Sequence, residues 1–347
     1  MIGERVRHVR QYYGWSQLEL ANRSGSTQPQ ISKLERGSTA SSEVVDAISD
    51  ASGFARWWFD LGPLPDLPKG SLKFRKRASG SQRNEERVRA HIRQAIEVVE
   101  RFSHVEGAPP VRIEPLLKSH DLHLDEIEQI AVEVREQLGL GSFDPIPNLT
   151  RASERGGVVI IGSLIPIDKP EGMEKHDGAS NWIDYPLGRP VSCVSRGTPG
   201  DRQRLSIGHE LGHLVLHQLR NIDPKRAEQE AFRFAGALLI PKEPALESIE
   251  RPVTLRALAE TKARWGISVR ALIRRCLDLR LIDNDRRRSL EKQIFARGWG
   301  RSEPVDIPYE EPLLIRRLIE TGTGESGLVG IASKIGLPTL AVRDLLA

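Results

Sequence analysis

Apolar residues recur at helical spacing along most of the chain, and the exceptions gather in one stretch near its middle. In RVRHVRQYYG, Val6, Val9 and Tyr13 fall at i, i+3 and i+7, which predicts an amphipathic opening helix. Ser16 opens a second helix, SQLELANRSG, with Leu18 and Ala21 facing inward and Gly25 making the turn. Thr27 is the expected N-cap of a third, TQPQISKLERG, where Pro29 is tolerated in the first turn and Gly37 stops the helix. SEVVDAISDASG reads as a fourth. Two short helices around a Gly-containing turn, with another on each side, predict a helix-turn-helix.

GPLPDLPKGS is a proline-rich break. Helices are expected from about Asn84 to Ser103 and from about Leu124 to Leu138. The period then changes: GGVVIIGSLI, GASNWIDY and RPVSCVSR read as strands, and RGTPGD as a turn. A long helix follows, roughly Asp201 to Leu219, and Pro224 starts another, PKRAEQEAFRFAGALLI, that Pro241 ends. The remainder is helical. Near its end, GLVGIASKIGLPTLAVRDLLA has helix-turn-helix-like spacing around Gly336 and Pro338, but a simple helical hairpin packed on the body is the expected reading. No internal repeat or low-complexity tract is evident. The expected division is 1–62 (helix-turn-helix), 63–105 (basic linker and helix), 106–282 (α+β domain) and 283–347 (helical C-terminal region).

Composition narrows the class. A chain of 347 residues, 39% hydrophobic and 28% charged, suits a soluble protein of two or three domains. No apolar run approaches the ~20 residues of a membrane span, and MIGERVRHVRQYYGW lacks an export core. Cys193 and Cys276 are the only cysteines, and neither lies in a CxxC pair. A disulfide framework and a thiolate zinc site are therefore not expected, and a cytoplasmic location is. Residues 1–60 hold seven basic and seven acidic residues, whereas 61–110 hold ten and six. Much of the net charge of +4 thus falls in KGSLKFRKRASGSQRNEERVR, a run suited to phosphates or to a solvated linker.

The chemistry centres on HELGH, residues 209–213. Positions four apart share a helix face, so His209 and His213 can converge on one cation while Glu210 reaches the water bound to it. Leu205, Leu211, Leu214, Val215, Leu216 and Leu219 make the helix apolar on more than one side. Polar groups there are costly unless satisfied, and a metal would satisfy them. A zinc hydrolase needs a third protein ligand. Glu228, on a stripe with the small residues Ala231 and Ala235, is the candidate, with Glu230 the alternative. Such a site lowers the pKa of zinc-bound water toward ~7 and leaves Glu210 to take its proton as a carbonyl is attacked. RPVSCVSR could add an extended peptide along its edge. His217 continues the same face and could orient a ligand or be an alternate one, but a core or surface histidine is the expected reading; His120 and His123 read as structural; His176 sits in the loop EKHDG.

At the other end, the second helix of the helix-turn-helix would begin Thr27-Gln28-Pro29-Gln30 in the major groove. Gln28 and Gln30 can pair with adenine, Gln17 is placed for a phosphate, and Lys33 and Arg36 add phosphate contacts. Residues 1–36 hold six basic and three acidic residues. A homodimer on a two-fold double-stranded operator is expected.

DRQRLSIGHELGHLVLH followed by EQEAFRFAGALLIP resembles the ImmA/IrrE family of metallopeptidase-like domains, as do SNWIDYPLGRPVSCVSRGTPG and TKARWGISVRALIRR. VRQYYGWSQLELANRSGSTQPQISKLERG resembles the Xre/Cro type of helix-turn-helix. The resemblance spans roughly residues 4–60 and 100–300. It implies an all-α DNA-binding domain followed by an α+β, gluzincin-like (zincin) metallopeptidase domain. It further implies Zn2+ on His209, His213 and Glu228, with Glu210 as base and a repressor or toxin as protein partner. Some relatives with this arrangement are peptidases, others regulators or antitoxins. One position departs from the pattern: four residues after Glu228, where the family usually places Asn or Asp to orient a ligand histidine, stands Phe232. Losing such a partner typically costs about 10–100-fold in affinity or activity.

Overall fold

A computed structural model describes residues 2–39, 41–67, 82–117, 121–162, 178–182, 185 and 188–346. The most basic stretch, 69–81, together with His120, His176 and the end of GGVVIIGSLI, lies outside the described residues. The chain forms two compact units: Met1–Ala108 with Ile161–Arg196 and Leu313–Ala347, and Pro109–Ile160 with Gly197–Pro312. Among the described residues no helix is long and apolar enough to cross a membrane.

The first unit opens with α1 (Ile2–Tyr13), α2 (Gln17–Arg23), α3 (Gln28–Glu35) and α4 (Ser42–Ser52), then a 3-10 turn at Arg56–Asp60 and α5 (Gln82–Phe102). Ser16 caps α2 reciprocally: its hydroxyl accepts from the Glu19 N–H and the Glu19 carboxylate accepts from the Ser16 N–H. Gly25, at φ 63°, supplies the left-handed residue of the turn between α2 and α3. Val6, Val9, Leu20, Ile31, Leu34 and Ile48 form the core. Two expected core positions differ. Tyr12 rather than Tyr13 is buried; the Tyr13 hydroxyl donates to the Ser52 carbonyl at 2.6 Å and its ring stacks on Trp15 at the margin. Leu20 rather than Leu18 points inward, because Leu18, 57% exposed, lies about 200° around the helix from it.

A buried polar seam joins α1 to α5. Arg5 Nη2 donates to Glu97 Oε1 at 2.5 Å, and Trp58 Nε1 donates to Glu97 Oε2 at 3.2 Å. His8 Nε2 pairs with Gln94 Oε1 at 3.0 Å. Burial first, then the charge of Arg93, pushes the His8 imidazole down to about 3.

The second unit contains α6 (Leu124–Gln137), α7 (Leu149–Arg155), α8 (Gly200–Leu216), α9 (Pro224–Leu239), α10 (Lys242–Ser248), α11 (Leu255–Trp265), α12 (Val269–Asp278) and α13 (Asn284–Ala296). His123 N-caps α6, and Asp223 caps α9 by accepting from the Lys225 and Arg226 N–H groups at 3.0 Å. α8 and α9 approach closely because glycine faces alanine. A Cβ on Gly212 would stand 3.1 Å from Ala231 Cα, and one on Gly208 would stand 3.3 Å from Ala235 Cβ. Ile207, Leu211, Phe234 and Leu238 seal this contact. α8 ends at Leu216, three residues short of expectation, and Leu219 is exposed.

β1 (Val159–Ile161), β2 (Gly178–Trp182) and β3 (Pro190–Val194) form a three-stranded sheet of order β1-β3-β2. β2 and β3 are antiparallel, with Ala179 opposite Cys193 and Trp182 opposite Pro190. RPVSCVSR is therefore the central strand. Both of its edges are taken, which corrects the expectation that it offers one to a peptide. The first unit closes with α14 (Leu314–Thr323), α15 (Leu328–Ile335) and α16 (Thr339–Leu346). The turn into α16 is tied down: the Ala55 N–H donates to the Gly336 carbonyl at 3.0 Å, and Arg101 Nη1 to the Ile335 carbonyl at 2.9 Å.

Candidate metal centre and nucleic-acid face

Helical spacing brings His209 and His213 of α8 onto one face, and the close α8–α9 contact sets Glu228 opposite them. His209 Nε2 and His213 Nε2 are 3.1 Å apart, and they lie 3.5 and 3.4 Å from Glu228 Oε2 and Oε1. A tetrahedral ion with bonds of ~2.0–2.1 Å has ligand atoms about 3.3 Å apart. The two nitrogens stand near that spacing, each has one oxygen of the Glu228 carboxylate at a similar distance, and one donor atom from each residue lies within 4.8 Å of the others. Two imidazoles and a carboxylate suit zinc, so these residues fit the ion. Among the described residues, this is the group of His, Cys, Asp and Glu side chains able to share a cation. Glu210 follows His209 on α8 and is buried. Glu230 is elsewhere occupied: it accepts from Arg220 Nη1 and Arg226 Nε, each at 2.9 Å.

His217 lies at the end of α8 between these groups. Its Nδ1 is 2.9 Å from His213 Nδ1, and its Nε2 is 3.3 Å from Glu230 Oε2. Burial, then the neighbouring His213, pushes the His217 imidazole down to about 3. Burial alone would raise the Glu230 carboxyl, but hydrogen bonds from Arg220 and Arg226 outweigh it and hold Glu230 below its usual range. The spacing His213-x-x-x-His217 signalled a shared face; the anchoring role of Glu230 left no mark in the sequence.

On the nucleic-acid face, Thr27, Gln28, Gln30 and Lys33 are exposed and Gln17 is half-buried. Gln28 Nε2 donates to Gln17 Oε1 at 2.9 Å, and Gln17 Nε2 donates to Glu35 Oε2 at 3.1 Å. Arg10 Nε completes the chain on Glu35 Oε1 at 2.5 Å. Gln30 is differently engaged: its Oε1 accepts from the Thr27 N–H and hydroxyl at 2.8 and 2.9 Å, so the acceptor needed for an adenine pair is committed to the helix cap. Sequence reasoning placed Gln17 correctly at the start of α2 but missed its two partners.

A family model described as an IrrE N-terminal-like domain matches residues 167–277, and one described as helix-turn-helix matches residues 6–53. The chain joins a helix-turn-helix domain to an IrrE N-terminal-like domain. The first match contains α8, α9 and the histidine–glutamate cluster; the second contains α2, α3 and the Gln17–Gln28 pair. No curated protein and no solved structure matches the chain. Within the IrrE-like domain, the Phe232 ring packs 4.3 Å from the His209 ring, and His209 Nδ1 is buried without a hydrogen-bond partner among the described residues. The two histidines of the IrrE-like cluster are thus unequally supported.

Proposed function

We propose that this protein is a DNA-binding transcription regulator whose IrrE-like, zincin-type domain holds zinc on His209, His213 and Glu228 and cuts a partner protein such as a repressor. The convergence of two imidazole nitrogens and the Glu228 carboxylate on one point carries this proposal. Bound there, the ion supplies Lewis acidity to a carbonyl and acidifies water. Glu210 would be the general base that accepts a proton from the attacking water and the acid that passes it to the leaving amine. The chain's own contribution is to hold the two imidazoles with their Nε2 atoms inward and to bring Glu228 across from α9.

For DNA, Gln28 is the base reader. One N–H of its amide goes to Gln17, while its oxygen and second N–H remain for the N6 amino group and N7 of adenine. Thr27 and Gln30 shape the helix start, and Lys33 faces phosphate. A homodimer on a two-fold operator follows from the weak grip of one such module.

The unpartnered His209 Nδ1 beside Phe232 favours a second proposal, in which the domain binds a partner, such as a toxin, without turnover. One experiment separates them. Purified chain should hold one zinc per molecule, and Glu210→Gln should keep that zinc while losing cleavage and the regulatory output. Absence of stoichiometric metal sinks the peptidase; a regulatory output untouched by Glu210→Gln favours the binding function.

A further inference from the structure

The hydrogen-bond pattern behind His213 leaves little freedom in where its protons sit. Glu230 is a carboxylate anchored by two arginines, so it can only accept. With His217 neutral, its Nε2, 3.3 Å from Glu230 Oε2, carries the N–H, and His217 Nδ1 is left as a lone pair. That lone pair lies 2.9 Å from His213 Nδ1, which must carry the hydrogen. His213 Nε2 is then a lone pair, and it faces His209 and Glu228. Neither nitrogen of His217 is turned toward the cluster, so it is not an alternate ligand. Arg220 keeps the anchor in place, with its side chain 1% exposed and its Nη1 on Glu230 Oε2.

We propose that His217 is a positioning residue: by accepting the Nδ1–H of His213 and donating to Glu230, it fixes the tautomer and ring orientation that turn His213 Nε2 toward the cation. Imidazole ligands commonly donate their second nitrogen to an acceptor, and that acceptor fixes the tautomer. Here the acceptor is a second imidazole one turn further along the same helix. His209 has no counterpart: its Nδ1 is buried without a hydrogen-bond partner among the described residues, and its ring packs against Phe232. His213 is therefore the pre-set ligand and His209 the adaptable one.

The inference rests on the proposed metal cluster, and its test separates the two. In metal-free full-length chain labelled with 15N-histidine, long-range 1H–15N correlation reads each tautomer directly. Wild type should show His213 as the Nδ1–H form and His217 as the Nε2–H form. His217→Leu should let His213 populate both forms and lower zinc affinity by about 10–100-fold in competition with a chelating dye. His217→Asn places an oxygen where Nδ1 stood, so it should restore the Nδ1–H form of His213 and most of the affinity. A wild-type His213 in the Nε2–H form overturns the proposal without any variant, as does wild-type zinc affinity in a folded His217→Leu. If wild type shows the expected tautomers but takes up no zinc, the metal centre fails and the hydrogen-bond relay stands.

Discussion

The helix-turn-helix and the histidine–glutamate cluster use the same device with differently exposed arginines. In the first, a surface Gln28 leans on Gln17, which leans on Glu35, which is held by Arg10. In the second, His213 leans on His217, which leans on Glu230, held by Arg220. Each chain of contacts runs from a side chain with chemistry to do, through one intermediary, to a buried glutamate and an arginine. The difference lies at the anchor. Arg10 and Arg7, the arginines on Glu35, have side chains 15% and 46% exposed; of the two on Glu230, Arg226 is 37% exposed but Arg220 only 1%. A buried pair is expensive to break because the survivor stays unpaired in a poor solvent for charge, whereas an exposed survivor is hydrated. Water can therefore stand in for the glutamate of the Gln28 chain of contacts more readily than for that of the His213 chain.

Removing each glutamate is the sharpest way to break this parallel. Glu230→Ala should cost about 3–5 kcal/mol in urea unfolding, the range for leaving a buried charge unpaired. Glu35→Ala should cost about 1–2 kcal/mol, because Arg10 and Arg7 can turn to solvent. Equal losses would mean that burial of the arginine does not decide the outcome.

Acid tests the helix-turn-helix unit through a group outside its surface chain. His8 is packed against Trp58 and Tyr12, paired with Gln94, and surrounded by the charges of Arg93, Arg5 and His91. Its folded value of about 3 lies below the ordinary 6.5, so between those values the unfolded chain binds the extra proton. Stability from this group is full above pH 6.5 and falls as the pH drops, by about 1.4 kcal/mol per unit. His8→Gln keeps a hydrogen-bonding side chain next to Gln94 but has no proton to gain. Between pH 7.5 and 5 it should lose about 2 kcal/mol less than wild type. Parallel pH profiles for the two would show that His8 is not neutral in the folded chain.

The sequence was most legible where local chemistry repeats. Caps, turns and helical periodicity placed α5 and α6 within two residues at their ends, and the i, i+4 histidines were visible as a pair. The phase of a short helix was less so: Leu18 and Leu20 are both apolar, and only packing decides which is inside. Strand order was not legible at all, since alternation in RPVSCVSR says that a strand exists and not what flanks it. Both anchoring glutamates escaped for one reason. Glu35 and Glu230 are charged residues on amphipathic helices, a pattern that ordinarily marks a solvated face, and their burial depends on arginines 25 and 10 positions away. Gly208 and Gly212, which let α9 come near enough for Glu228 to face the histidines, escaped too, because their value appears only against Ala235 and Ala231.

The smallest expected effect probes the exposed chain at its middle link. Gln17 holds one N–H of Gln28 and so restricts how the amide can rotate. Losing one exposed hydrogen bond costs about 1 kcal/mol or less, so Gln17→Ala should weaken operator binding by no more than about fivefold. Gln28→Ala removes the reader itself and should cost about 1–3 kcal/mol at one base pair. The distinctive outcome lies in specificity. With Gln17 gone, the Gln28 amide can flip and offer its donor and acceptor in exchanged order, so preference at that base pair should relax more than total affinity falls. Competition binding against an operator and its single-base variants reads both quantities. If Gln17→Ala lowers affinity equally for every variant, Gln17 serves a phosphate and not Gln28, and the likeness between the two chains ends at their glutamates.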